Sequence, residues 1–307
     1  MKKDLLKLLD LTTEDIFEIL DLADQLKYDV RHGIRHDRLA GKTLAMIFAK
    51  NSTRTRASFE TGMFQLGGHA MYLTTADTQI GRGEPIQDTA RTLSRYCDGI
   101  MIRTYKQEEL EALASHATVP VINGMTDFSH PCQILGDLMT LRERDPILEG
   151  QHLCFVGDGN NVCSSLIVGC LKVGMRVSVA CPQGYEPPQE ILDFAKAYGD
   201  RFRLMRDPAE AVVGATAVYT DVWTSMGQEA QQETRTNVFS GTYQVNDELL
   251  AAAKPGCMVQ HCLPAYREQE ITTKVFEEHA SEIFEEAENR LHAQKAVMVT
   301  LMGSVEE

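Results

Sequence analysis

Five short segments of this 307-residue chain carry side chains able to do chemistry, and each follows an apolar run. The densest is Ser52-Thr53-Arg54-Thr55-Arg56, behind Leu-Ala-Met-Ile-Phe and ahead of a helical stripe of Phe59, Met63 and Leu66. A helix start offers unpaired N–H groups and a positive dipole end. Three hydroxyls and two guanidiniums placed there suit a phosphate, whose oxygens guanidinium grips in pairs. An ordinary Ser/Thr cap followed by surface arginines is the plainer reading, and the alternation of hydroxyl and guanidinium argues against it.

His130-Pro131-Cys132-Gln133 lies between Val-Pro-Val-Ile-Asn-Gly and a helical pattern. Proline suits the first helical position. His130 and Gln133 then share one strand-to-helix mouth, where a neutral imidazole and a carboxamide can read a small amide or carbonyl. A histidine cap and a His/Cys metal pair use the same residues. No second pair stands at zinc-like spacing and there is no HExxH, which disfavours metal.

Gly157-Asp158-Gly159-Asn160-Asn161 invites a dinucleotide reading that fails twice. The third glycine position holds Val162, and the stretch after the next strand is Ala180-Cys181-Pro182, without the acid that would meet a ribose. The loop reads better as a turn presenting Asn160 and Asn161 to a polar ligand. Asp221-Val222-Trp223-Thr224-Ser225-Met226-Gly227 leaves another strand end. Asp221 is placed for a cationic amine and Ser225 for a carboxylate, although a plain Asp turn has the same composition. In His261-Cys262-Leu263-Pro264 a cysteine ends a strand beside polar groups. A nucleophile and a ligand contact are both open there, and no local triad accompanies it.

The elements that must position these segments alternate along the whole chain. Strands are expected at Thr43–Ala49, Ala70–Leu73, Gly99–Ile102, Val119–Asn123, His152–Gly157, Arg176–Ala180, Ala217–Asp221, Met258–His261 and Val297–Leu301. Most are continuous apolar runs, as in strands covered on both faces. Helical patterns lie between them at Arg54–Leu66, Asp88–Cys97, Gln133–Arg144, Ser164–Val173 and Glu190–Tyr198, and the N-terminal stretch is amphipathic with a restart at Thr12-Thr13-Glu14-Asp15. The expected fold is α/β: two domains, each a mainly parallel sheet flanked by helices. The seam is expected near Arg144–Gly150, giving domains 1–146 and 147–284. The acidic segment Glu268–Arg290 is expected to be a helix that crosses back, with a C-terminal helix at about 285–307 returning to the first domain.

Taken in order, STRTR, HPCQ and HCLP resemble the phosphate, carbamoyl and interdomain signatures of the aspartate/ornithine carbamoyltransferase superfamily. DVWTSMG is similar to the amino-acid-binding loop of its ornithine branch, and GDGNN, TQIGRGEP and ENRLHAQKA are similar to other segments of that same branch, so the resemblance spans nearly the whole chain. It implies carbamoyl transfer from carbamoyl phosphate to the δ-amine of L-ornithine, giving L-citrulline and phosphate in arginine metabolism. It implies one domain per substrate, with the chemistry in the cleft, and a homotrimer whose active sites lie between subunits. By motif, Ser52, Thr53, Arg54 and Thr55 would bind the phosphate, and Gln79 would reach that of a neighbouring subunit. Thr55, Arg103 and His130 would polarise the carbamoyl oxygen while Gln133 holds the nitrogen. Asn161, Asp221, Ser225 and Met226 would hold ornithine. Cys262 and Leu263 would flank the reacting groups, with Arg290 in the same region. The stretches Ala265-Tyr266-Arg267 and Phe239-Ser240-Gly241 depart from the pattern without touching these residues. No metal or organic cofactor is called for, because phosphate leaves readily once its charge is neutralised. An enzyme acting on putrescine would share STRTR and HPCQ without needing the carboxylate-reading loop. A non-catalytic sugar-binding or regulatory α/β protein would leave Arg54, His130, Gln133 and Cys262 unexplained together.

The net charge of −14 excludes a generic electrostatic grip on nucleic acid. It does not exclude an anionic substrate, because Asn51–Lys106 holds seven Lys/Arg against five acids. No run approaches the length of a membrane helix, and the eight cysteines form no CxxC pair. A cytoplasmic location with buried, reduced thiols is expected.

Overall fold

The computed structural model describes residues 3–225 and 227–303. Two compact units divide the chain: Met1–Met139 with Asn289–Glu307, and Thr140–Glu288.

The first unit contains α1 (Thr13–Arg31), β1 (Thr43–Phe48), α2 (Thr53–Gln65), β2 (His69–Thr74), α3 (Ile86–Leu93), β3 (Gly99–Arg103), α4 (Gln107–His116) and β4 (Val121–Met125). α5 (Pro131–Arg144) follows. The four strands pair in parallel in the order β2-β1-β3-β4. β1 and β3 are buried almost throughout, which accounts for their unbroken apolar sequences. The order reverses between β1 and β3, and such a reversal opens a crevice at the strand C-termini where ligands bind in α/β sheets.

The second unit contains β5 (His152–Val156), α6 (Asn161–Lys172), β6 (Arg176–Ala180), α7 (Gln189–Lys196), β7 (Phe202–Met205), α8 (Pro208–Ala211) and β8 (Ala217–Thr220). α9 (Gln232–Phe239), α10 (Asp247–Ala251), β9 (Met258–His261) and α11 (Thr273–Glu278) complete it. Its parallel sheet runs β7-β6-β5-β8-β9, with the reversal between β5 and β8. The helix α12 (Ala280–Met302) ends the described chain.

Three sequence expectations need correction. Val297–Leu301 is not a strand but the last part of α12, since a short apolar run has no period that separates buried helix from buried strand. Glu268–Arg290 is not one helix, because α11 ends at Glu278 and α12 begins at Ala280. The described residues ahead of Thr12, 3–11, are not α-helical. Leu5 bridges Ile122, its N–H donating to Val121 O and its carbonyl accepting from Asn123 N, so this segment extends the edge of the first sheet. α1 does start at the expected restart, where Thr12 and Asp15 form a reciprocal capping box. β7 escaped notice because it is an edge strand of four residues, none of them buried, too short to show a pattern. No described helix is long and apolar enough to cross a membrane.

Two glycines set the packing of the first unit. A Cβ on Gly62 would lie 2.9 Å from Met298 Cε, and one on Gly136 would lie 3.2 Å from the backbone N of Arg290. The absent side chains let α12 approach α2 and α5 closely enough to deliver Arg290 to the strand ends.

Candidate active site

In the first unit, the chain leaves β1 through Ala49, Lys50 and Asn51 and enters α2 with Ser52 as N-cap. Ser52 Oγ accepts from Thr55 N at 3.2 Å and donates to Thr55 Oγ1 at 3.1 Å. Such a cap contributes about 1 kcal/mol and fixes the first turn. No acid occupies that turn, so the positive helix end is left for an external anion. Thr55 is fully buried, Arg54 is half-buried and Thr53 is exposed.

Arg290 arrives from α12. Its Nη2 donates to Gln294 Oε1 at 3.1 Å and to Thr55 Oγ1 at 3.4 Å, and Gln294 Nε2 is anchored on Ser58 Oγ at 2.7 Å. The Nε of Arg290 is buried and finds no hydrogen-bond partner among the described residues. A bound oxyanion would satisfy it. Arg103 is the last residue of β3 and lies where the register to β4 shifts, an irregularity of the kind that re-aims a side chain. His130 and Pro131 open α5, and Gln133 Nε2 donates to Asp137 Oδ1 at 2.8 Å, which fixes its carboxamide plane.

Burial and then the charges of Arg290, Arg103 and Arg54 hold the His130 imidazole well below its ordinary pKa. It is therefore neutral at pH 7, with one N–H to donate, while three guanidiniums supply the positive field. This cluster can bind a dianion and polarise a carbonyl attached to it. Cys132 has another role. Burial pushes its thiol up to about 12, and Sγ donates to Asn123 O at 3.4 Å, so it packs and does not attack.

Lys50 was not singled out from sequence. Its buried ammonium pairs with Asp127 and lies 4.1 Å from the Tyr105 ring centre, tying together the loops that follow β1, β3 and β4. Gln79 stands apart. It is exposed in the 3-10 turn Gln79–Arg82, and its side chain makes no hydrogen bond among the described residues.

In the second unit, the loops after β5, β8 and β9 converge on Asp221. Asp221 Oδ1 accepts from Val222 N at 2.8 Å and from Cys262 Sγ at 3.1 Å, and Oδ2 accepts from Asn160 Nδ2 at 2.7 Å. Asn160 also caps α6, accepting from Val162 N and Cys163 N, so one side chain fixes both the helix and the carboxylate. Asn161 is buried in the first turn of α6. Ser225 is half-buried with its N–H on Gln228 Oε1 at 3.3 Å, and Met226 lies outside the described residues. Leu263 holds a left-handed φ of 58°, a strained setting for a branched side chain, with its N–H on His261 Nδ1 at 2.9 Å.

Asp221, His261 and Cys262 lie close enough to suggest a metal site. The imidazole is already committed, because Nδ1 accepts from Leu263 N and Nε2 donates to Glu270 Oε1 at 3.1 Å. The triad lacks the open nitrogen a cation needs. The glycine-rich loop is likewise closed to a dinucleotide, since a Cβ on Gly159 would lie 2.3 Å from the backbone N of Pro187. The chain's own 185–187 segment covers this loop. Of the eight cysteines six are buried, and Cys257 and Cys262 are half-buried.

Residues 3–143 match the family model described as the aspartate/ornithine carbamoyltransferase carbamoyl-P binding domain, and residues 149–301 match the Asp/Orn binding domain of the same family. The ornithine carbamoyltransferase of Carboxydothermus hydrogenoformans is 55% identical over 305 residues, covering 98% of each chain. That of Pyrococcus abyssi is 52% identical over 307 residues, covering 99% of this chain and 96% of the relative. Among solved structures, the ornithine carbamoyltransferase of Pyrococcus furiosus superposes with a TM-score of 0.93 at 50% identity, over 99% of this chain and 98% of the other.

Proposed function

Because the chain belongs to the aspartate/ornithine carbamoyltransferase family, we propose that it transfers the carbamoyl group of carbamoyl phosphate to the δ-amine of L-ornithine, giving L-citrulline and phosphate. The observation that carries the reading is the neutral His130 set among Arg54, Arg103 and Arg290. An uncharged donor suits a carbonyl oxygen, and fixed cations suit the phosphate attached to it.

In this reading Ser52, Thr53, Arg54 and Thr55 hold the phosphate at the start of α2. Arg103 and His130 meet the carbamoyl oxygen, Gln133 holds the carbamoyl nitrogen, and Arg290 shares the developing charge. Asp221 takes the α-ammonium of ornithine, while Asn161, Ser225 and Met226 take its carboxylate end. Cys262 and the Leu263 backbone adjoin the reacting amine and carbamoyl group. The δ-amine attacks the carbamoyl carbon, the new C–N bond forms, the C–O bond to phosphate breaks, and the proton lost by the amine ends on phosphate. A free alkyl amine titrates near ~10.4, so it must be desolvated to attack in its neutral form. The electrostatic donors stabilise the tetrahedral oxyanion, and removing one typically lowers turnover ~10²–10³-fold.

We propose further that the chain works in the cytoplasm as a homotrimer in which Gln79 serves a neighbouring subunit's phosphate; its exposure on a turn is compatible with that. Colorimetric detection of citrulline from carbamoyl phosphate and L-ornithine tests the activity. Robust citrulline formation, with little product from putrescine or L-aspartate, is expected. Preferential carbamoylation of putrescine would move the chain to another acceptor.

A further inference from the structure

The second unit contains a buried ion pair that none of the proposed substrate contacts uses. Arg235 on α9 donates through Nη1 to Asp158 Oδ2 at 2.9 Å and to the backbone carbonyl of Trp223 at 2.9 Å. Its Nε meets Gln231 Oε1 at 3.3 Å, and the guanidinium lies 5.0 Å from the Tyr185 ring centre. Both charged side chains are only 8% exposed. Withdrawing two ions from water is costly, so a buried pair adds little net stability compared with an apolar one. What it does provide is fixed geometry.

That geometry concerns the substrate loops. Trp223 stands midway between Asp221 and Ser225, the residues assigned to the two ends of ornithine's α-carbon. Asp158 stands two residues before Asn160, whose Nδ2 holds Asp221 Oδ2. One guanidinium therefore joins the loop after β5 to the loop after β8, across the reversal of strand order. α9 is itself anchored there, because Phe239 packs on Trp223 at 5.8 Å and on Tyr185 at 5.0 Å between ring centres.

We infer that Arg235 is a positioning residue for the amino-acid substrate, setting the spacing of Asp221 and Ser225 through Asp158 and the Trp223 carbonyl and so favouring an acceptor that carries both an α-amino group and a carboxylate. This rests on the proposed function. It assigns Arg235 no contact with the substrate.

The test compares wild type with Arg235→Ala and with the double variant Asp158→Asn/Arg235→Met. The double variant removes both charges together, so it folds without a stranded buried carboxylate even if the single variant does not. Steady-state kinetics should show KM for L-ornithine raised about tenfold or more in either variant and the preference for ornithine over putrescine narrowed. Carbamoyl-phosphate Kd by calorimetry should stay within about twofold of wild type. A folded variant with wild-type ornithine KM and acceptor preference overturns the inference, as does an equal loss of affinity for both substrates. Absence of citrulline in wild type would instead defeat the underlying functional reading, and the inference with it.

Discussion

The two units are built to hold a ligand by different means. The first surrounds His130 with three guanidiniums and backs them with a helix start, a buried Thr55 and the Gln294–Ser58 brace. The second relies on one carboxylate, Asp221, which already accepts from Val222, Cys262 and Asn160. A phosphate carries two charges over several oxygens and needs many donors in place before it arrives. An ammonium needs one well-oriented acceptor, with the rest of the recognition supplied by loop geometry. Preorganised charge thus dominates one half of the molecule and loop spacing dominates the other.

The largest effect should follow from Arg54→Ala. Carbamoyl-phosphate binding by calorimetry should be lost, with turnover lowered ~10²–10³-fold or more. Wild-type-like affinity would break the view of the first unit as a charge-built site. Next comes Asp221→Asn, which keeps the shape but removes the charge. A charge-assisted hydrogen bond is worth about 1.5–3 kcal/mol, so KM for L-ornithine should rise ~10–100-fold with carbamoyl-phosphate affinity little changed. Equal losses for both ligands would erase the contrast.

Two smaller effects are readable in pH. His130 titrates below its unfolded value, so the unfolded chain binds more protons as pH falls under 6.5. Its contribution to stability is present above that pH and is lost on acidification toward the folded pKa. Thermal unfolding of His130→Asn should show a shallower decline below pH 6.5 than wild type, and parallel curves would contradict the assignment. Burial raises Asp158 to about 6 despite the opposing charge of Arg235, with Asp221 adding to the rise. Ionised Asp158 faces Arg235 and Asp221, with the Cys163 and Cys181 thiols also within its field. Above about pH 6 the ion pair is complete, and below it the carboxyl is neutral. The ornithine KM of wild type should therefore drift upward below about pH 6, relative to Asp158→Asn measured alongside. No difference between the two would remove pH dependence from the loop tether.

Much of this contrast was legible in the residues. STRTR and HPCQ mark the first site because hydroxyls and guanidiniums behind a buried strand have few other uses. DVWTSMG and HCLP mark the second by placing an acid and a thiol at strand ends. What stayed hidden was the support. Asp137 holds Gln133 from one turn along a helix, Lys50 joins three loops, and Arg235 acts 77 residues from Asp158 in sequence. Such residues look like ordinary surface charges, because their partners are defined only by the fold. The misread Val297–Leu301 has the same origin. Its apolar residues report burial, and only the continuous helix from Ala280 decides the conformation.

The central claim is carbamoyl transfer from carbamoyl phosphate to the δ-amine of L-ornithine. The most direct measurement follows carbonyl-labelled carbamoyl phosphate with L-ornithine, counting label in citrulline against phosphate released. The account predicts one labelled citrulline per phosphate, and phosphate release that depends on ornithine. Phosphate released without label in citrulline, or at a rate indifferent to ornithine, would contradict it.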